Sequence, residues 1–191
     1  CETDLRTLKV ERLDIVHYRW IGMPGNEALF DEGVDALIEL KNQGKISHVA
    51  LSNVNEKQLT RAIAKTPIVS VQNMYAAGSG GTGPLAKMAH CEVDDPEGVL
   101  RACEKHRIAY MPFFPLAVGK IEQARPQLVA IAKKHGKTAS QIALAWLLAR
   151  SPVMLPIPGT SSPEHLEENW ASRSIRLSDD EMSAITNEAS A

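Results

Sequence analysis

Short apolar runs alternate with stretches of helical period along this chain. The segments "LDIVHYRW" (13–20), "ISHVAL" (46–51), "IVSVQN" (68–73), "IAYMPFFPL" (108–116) and "VMLPIP" (153–158) read as strands. Between the first two, Val34, Leu37, Ile38 and Leu40 form a stripe at helical spacing over 29–44, and Gly44 stops it. Residues 55–66 read as the next helix, capped by Asn53 or Asn55, and 96–107 as another, opened by Pro96. Helices follow near 121–135 and over 138–150, the second starting at Thr138. The last two, 163–171 and 178–189, carry acidic first turns that suit the helix dipole.

This alternation predicts an α/β fold with a parallel sheet covered by helices. The strands are not strictly alternating, as expected when both faces are buried. An open doubly wound sheet and part of a (β/α)₈ barrel both fit the order. No GxGxxG follows the first strand, which weakens the dinucleotide-binding open sheet. The polar and small-residue signals sit past the strand ends, at Ser52-Asn53, Gln72-Asn73, Phe113 to Leu116 and Gly159 to Ser162. Barrel enzymes build their sites there and bind phosphate after the last strands. The stretch 76–95 has four glycines within 78–83 and reads as a loop over a functional face or as a mobile segment.

Composition narrows the function classes. The 191 residues suit one domain, and 44% hydrophobic content supplies a core. With 21 basic and 23 acidic residues the net charge is -2, which gives no electrostatic reason to expect nucleic acid or an anionic membrane. No apolar run reaches the roughly 18 residues of a membrane span. Cys1, Cys91 and Cys103 are odd in number and lack a CxxC, so a reducing, cytoplasmic setting is expected. His48, His90, His106 and His135 are scattered without ligand spacing, so no metal site is expected. The first residue is Cys rather than Met, which suggests a trimmed or partial chain.

Candidate chemistry concentrates in "MLPIPGTSSPEHLEEN" (154–169): an apolar run, Pro-Gly, hydroxyl residues and an acidic helix start. Backbone N–H groups and hydroxyls in that order suit a phosphate. Each feature also has a plain structural reading. Ser52-Asn53 also fits a helix cap, Phe113 and Phe114 core, His165 and Glu168 a solvated helix face, and Gly159 a strand end. His17 also fits a satisfied buried histidine, and Cys103 an inert core thiol.

Taken in order, "HVALSNV" (48–54), "VSVQNMY" (69–75), "MPFFPLA" (111–117), "QIALAWLLARSP" (141–152) and "PIPGTSSPEHLEENW" (156–170) resemble the C-terminal part of the aldo-keto reductases. The resemblance runs from about residue 11 to 189. It implies part of a (β/α)₈ TIM barrel, about five βα units corresponding to strands four to eight, in one incomplete domain over 1–191. It also implies metal-free, NADP(H)-dependent reduction of a small-molecule aldehyde or ketone to an alcohol. Ser52, Asn53 and Gln72 match residues that hold the nicotinamide carboxamide, which needs both donors and acceptors. Phe113 matches an aromatic that stacks on the nicotinamide, and Pro115 and Leu116 match the pyrophosphate path. Gly159, Thr160 and Ser161 match the adenosine 2′-phosphate turn; His165, Glu168 and Asn169 match helix positions holding that phosphate and the adenine.

Three departures follow from the same resemblance. Many members have Lys and Arg where this chain has Gly159 and His165, so weaker NADP(H) preference is expected, with NAD(H) as an alternative cofactor. Arg19 stands where the family has its catalytic His, and His17 lies two residues earlier on the same strand face; Arg19 ranks first as a catalytic candidate and His17 second. The family's catalytic Tyr, Asp and Lys come from its first three strands, and 1–12 resembles the end of the third helix. A fragment, inactive by itself, is therefore expected. The alternatives are a non-catalytic NADP(H)-binding or partner-binding protein on this fold, and self-association through an open barrel edge.

Overall fold

Three strands, β1 (Leu13–Arg19), β2 (Ile46–Ser52) and β3 (Ile68–Gln72), pair in parallel in that order. They belong to a computed structural model that describes residues 1–21, 26–77, 93–116 and 125–187. The chain divides into two compact units, Cys1–Gln72 with Val93–Ala109, and Asn73–Glu92 with Tyr110–Ala191. Most of the expected insertion (78–92, including His90 and Cys91), residues 117–124 at the expected start of a helix, and the C-terminal 188–191 lie outside the described residues.

In the first unit, α1 (Glu2–Leu8) precedes β1, and α2 (Glu27–Asn42) packs on β1 and β2. Val34 and Leu37 of the expected stripe are buried together with Phe30, while Ile38 and Leu40 are half-buried. Tyr18 turns to this side: its ring stacks on Phe30 at 5.9 Å between centroids and sits where Gly33 leaves space. Successive strand residues face opposite ways, so His17 and Arg19 share the other face. α3 (Glu56–Lys65) begins with a complete capping box. Asn55 accepts from the Gln58 N–H at 2.9 Å, and the Gln58 side chain accepts from the Asn55 N–H at 3.0 Å. Asn55, rather than Asn53, is thus the cap. α4 (Pro96–His106) lies against α3 and buries Val99, Leu100 and Cys103. Burial there pushes the Cys103 thiol up to about 12, leaving it an inert core residue.

In the second unit the expected strands are shorter than their apolar runs. Over 108–116 only Ala109–Tyr110 forms a strand, β4, and 153–158 forms none; Met154 makes one bridge to Tyr110. Pro112 removes one donor on this side, since it stands where an N–H would face 153–158 but has none to give. The ladder persists at alternate residues: Tyr110 N–H donates to Val153, Leu155 N–H to Tyr110, and Ile157 N–H to Pro112, at 2.8, 2.8 and 3.4 Å. Pro156 and Pro158 occupy the positions between, where the backbone faces away. On its other side the segment pairs with 73–75, with Phe113 N–H donating to the Asn73 carbonyl at 3.0 Å.

Helices α5 (Pro126–His135), α6 (Ala139–Arg150), α7 (Pro163–Ala171) and α8 (Asp179–Asn187) complete this unit. α6 is its core element, buried nearly all round from Gln141 to Leu147. Trp146 stacks on Tyr75 at 6.1 Å, and its indole N–H reaches the Met182 carbonyl and Thr186 hydroxyl of α8, each at 3.3 Å. Glu181 of α8 meets His135 of α5 at 3.1 Å. The Ser178 N–H, then His135, hold its carboxyl below the usual range.

Candidate functional site

Two sets of expected residues lie together, one in each unit. In the first unit Arg19 pairs in register with Ser52, and Ser52 with Gln72. Side chains in register on parallel strands project from the same face, so these three form a row across the C-terminal ends of β1, β2 and β3. Ser52 is buried, Gln72 half-buried and Arg19 exposed.

Asn53 fixes this edge. Among the described residues it is one of few non-glycines with a positive φ, 64°, in the left-handed region that Asn tolerates better than most residues. The turn aims its N–H at the Gln72 carbonyl, 3.1 Å, and its side-chain nitrogen at the Trp20 carbonyl, 2.8 Å. The Trp20 N–H in turn donates to the Ser52 carbonyl at 2.8 Å. One asparagine therefore joins the ends of all three strands.

One layer below the row, His17 pairs in register with Ala50, and its Nε2 lies 3.0 Å from Ser70 Oγ on β3. Burial lowers the His17 pKa, so the neutral ring is favoured. The guanidinium of Arg19 offers several donors.

In the second unit a cavity of about 800 Å³ opens between the 113–116 turn, the 157–160 segment, the N-terminal turn of α6 and the side of α7 that carries His165, Glu168 and Asn169. Phe113, Pro115, Leu116, Gly159, Thr160, His165, Glu168 and Asn169 line it. Of the expected residues in this unit only Ser161 stands apart, exposed in the turn. Phe113 meets Phe114 edge-on at 5.3 Å, and Phe114 takes a positive φ of 52°. Thr160 organises the turn, accepting from the Ser162 N–H at 3.1 Å. Ser162 caps α7 by accepting from the His165 N–H at 3.3 Å. The lining has one imidazole, His165, and one carboxylate, Glu168, with no fixed cation.

Sequence reasoning missed Phe114, Thr138, Ser140, Ile157 and Pro158, which also line this cavity. The signal for Thr138 and Ser140 lay in "TASQ", a hydroxyl cap with Gln three positions on. Thr138 accepts from the Gln141 N–H at 3.2 Å and so brings the first turn of α6 to the cavity wall. Hydroxyls at 138, 140 and 160 and two capped helix starts suit an anionic, oxygen-rich ligand. The phenyl and prolyl surfaces suit a flat ring. These donors and surfaces fit a nucleotide phosphate with its base. Among the described residues no group of three or more His, Cys, Asp or Glu is placed to hold a metal, and no helix is long and apolar enough to cross a membrane.

The Aldo/keto reductase family model matches residues 1–189. Pyridoxine 4-dehydrogenase of Escherichia coli is 37% identical over 95% of this chain and 59% of its own length. An uncharacterized oxidoreductase of Schizosaccharomyces pombe is 40% identical over 78% of this chain and 44% of its own. The chain thus spans roughly half the length of these curated relatives. Among solved structures, the thermostable aldo-keto reductase Tm1743 bound to the inhibitor epalrestat matches with a TM-score of 0.78 at 31% identity, over 98% of this chain and 64% of that one. An aldo-keto reductase from Klebsiella pneumoniae in complex with NADPH matches with a TM-score of 0.74 at 28% identity, over 97% and 61%.

Proposed function

Because the chain belongs to the Aldo/keto reductase family, we propose that it carries the NADP(H)-recognition residues of a reductase acting on a small aldehyde or ketone. On this reading residues 1–191 are one incomplete domain, corresponding to strands four to eight of a (β/α)₈ barrel and working in the cytoplasm. The observation that carries the proposal is the lining of one cavity by Phe113, Pro115, Leu116, Gly159, Thr160, His165, Glu168 and Asn169.

Thr160, Ser161, His165 and the N-terminal turn of α7 are proposed to hold the adenosine phosphate, with Glu168 and Asn169 toward the adenine. Pro115 and Leu116 flank the pyrophosphate, and Phe113 offers its ring face to the nicotinamide. Ser52, Asn53 and Gln72 are proposed to hold the carboxamide. When bound, the reduced nicotinamide supplies the hydride. Arg19 is proposed to donate to the carbonyl oxygen and stabilise developing negative charge. A guanidinium does not give up its proton near neutrality, so Arg19 acts as a stabiliser and not as the proton donor. His17 is the lesser candidate, since its Nε2 is engaged by Ser70.

Arg19 in the family's histidine position favours one second reading, an NADP(H)-binding protein without turnover. With Gly159 and His165 in place of fixed cations, NAD(H) is the competing cofactor. Fluorescence titration of NADPH into the 191-residue chain tests the proposal. Saturable enhancement that NADH reproduces more weakly supports it, and no change at millimolar NADPH overturns it.

A further inference from the structure

Gln141 joins two helix ends that both border the cavity, and we propose that it is a positioning residue for the adenosine-phosphate site. The inference rests on reading that cavity as the dinucleotide site.

Gln141 is buried in the first turn of α6. Its Oε1 accepts from the Thr138 N–H at 3.1 Å and completes the capping box. Its Nε2 donates to the Glu168 carbonyl of α7 at 3.0 Å. That carbonyl is one of the last four of α7, which lack a helical partner by geometry. The chain tightens there into a 3₁₀ turn, Ser172–Ser174, and the backbone N–H groups at the cap bond the Asn169 and Trp170 carbonyls instead. Side chains take the Glu168 carbonyl: Gln141, and the Ser172 hydroxyl at 3.3 Å.

An amide accepts at one end and donates at the other. Gln141 therefore meets the exposed N–H end of one helix and the exposed C=O end of another. Thr138 and Ser140 line the cavity from α6, and Glu168 and Asn169 line it from α7. The Gln141 bridge fixes the backbone of Glu168 relative to Thr138, and so fixes the distance between the two walls that grip the ligand.

Gln141→Glu separates the two halves of the bridge. A carboxylate still accepts from the Thr138 N–H, so the cap survives. It has no donor for the Glu168 carbonyl and repels it. Calorimetric titration of the full chain with 2′,5′-ADP is expected to show about tenfold weaker binding for Gln141→Glu than for wild type. Nicotinamide mononucleotide, which lacks the adenosine end, is expected to bind both equally. Ser172→Ala loosens the same carbonyl without touching α6 and is expected to weaken 2′,5′-ADP in the same direction; it decides the matter if Gln141→Glu shows no cooperative melting transition. Wild-type affinity for 2′,5′-ADP in both variants overturns the proposal, as does equal weakening of both ligands. A wild-type chain that binds no 2′,5′-ADP overturns the reading of the cavity and the inference with it, and is told apart because it fails before any substitution.

Discussion

The ring of His17 crosses a neighbouring strand to bring Nε2 within 3.0 Å of Ser70 Oγ. It can do so because its register partner on β2 is Ala50, whose methyl leaves room for the imidazole. His17 thereby ties β1 to β3 beneath the Arg19–Ser52–Gln72 row. Arg19, on the same face at the strand end, is left as the residue that can address a ligand.

This contact has a pH signature. Burial lowers the His17 pKa in the folded chain, so the unfolded chain binds the proton more readily. Stability is therefore unaffected above the ordinary value of about 6.5 and falls as pH drops below it. Melting curves from about pH 7.5 to about 5.5 should show a declining Tm in wild type and a shallower decline in His17→Gln. Equal slopes would show that His17 is not a source of the loss.

Gly33 sits where an added Cβ would overlap the Tyr18 ring. Tyr18 backs the strand that carries His17 and Arg19, and it is already packed on Phe30 and Trp20. Gly33→Ala should cost about 1–3 kcal/mol in urea denaturation, through displacement of that ring. A change within a few tenths of a kcal/mol would mean the ring moves freely.

Gly159 has no heavy atom within 4 Å of where a Cβ would stand and no unusual φ, so a longer side chain fits without strain. Gly159→Lys and His165→Arg would restore fixed cations to the phosphate turn. Each should tighten NADPH by about tenfold, as a charge-assisted hydrogen bond does, with little effect on NADH. Equal gains for both dinucleotides would place the 2′-phosphate elsewhere.

Catalysis should not follow from binding alone. In its proposed role Arg19 would stabilise charge and supply no proton, and reduction of a carbonyl needs both. The 191-residue chain is expected to oxidise NADPH with 4-nitrobenzaldehyde no faster than background. Clear turnover would give a residue of this chain the role of proton donor.

Much of this was legible in the sequence because its signals are local. Strand ends followed by Ser52-Asn53 or Gln72, the Pro96 helix start and the apolar stripe of α2 depend on neighbours in the chain. The extent of the strands at 108–116 and 153–158 was not legible, since Pro112 leaves the apolar pattern intact while removing a ladder donor. Nor was the contact of His17 with Ser70, which depends on the register of three strands. Ser161 and Ser162 look equivalent as adjacent hydroxyls; only the start of α7 distinguishes the cap from the exposed neighbour. Gln141 was visible as a capping-box partner, but its second bond, to Glu168, is set by how α6 and α7 pack.

The most direct test of the central claim, that the cavity of the second unit takes the adenosine 2′-phosphate, is hydrogen exchange on the full chain with and without 2′,5′-ADP. Binding should slow exchange in 159–169 and at the first turn of α6, and 5′-ADP should protect the same peptides less. Binding with no protection in those peptides, or equal protection by the two nucleotides, would contradict it.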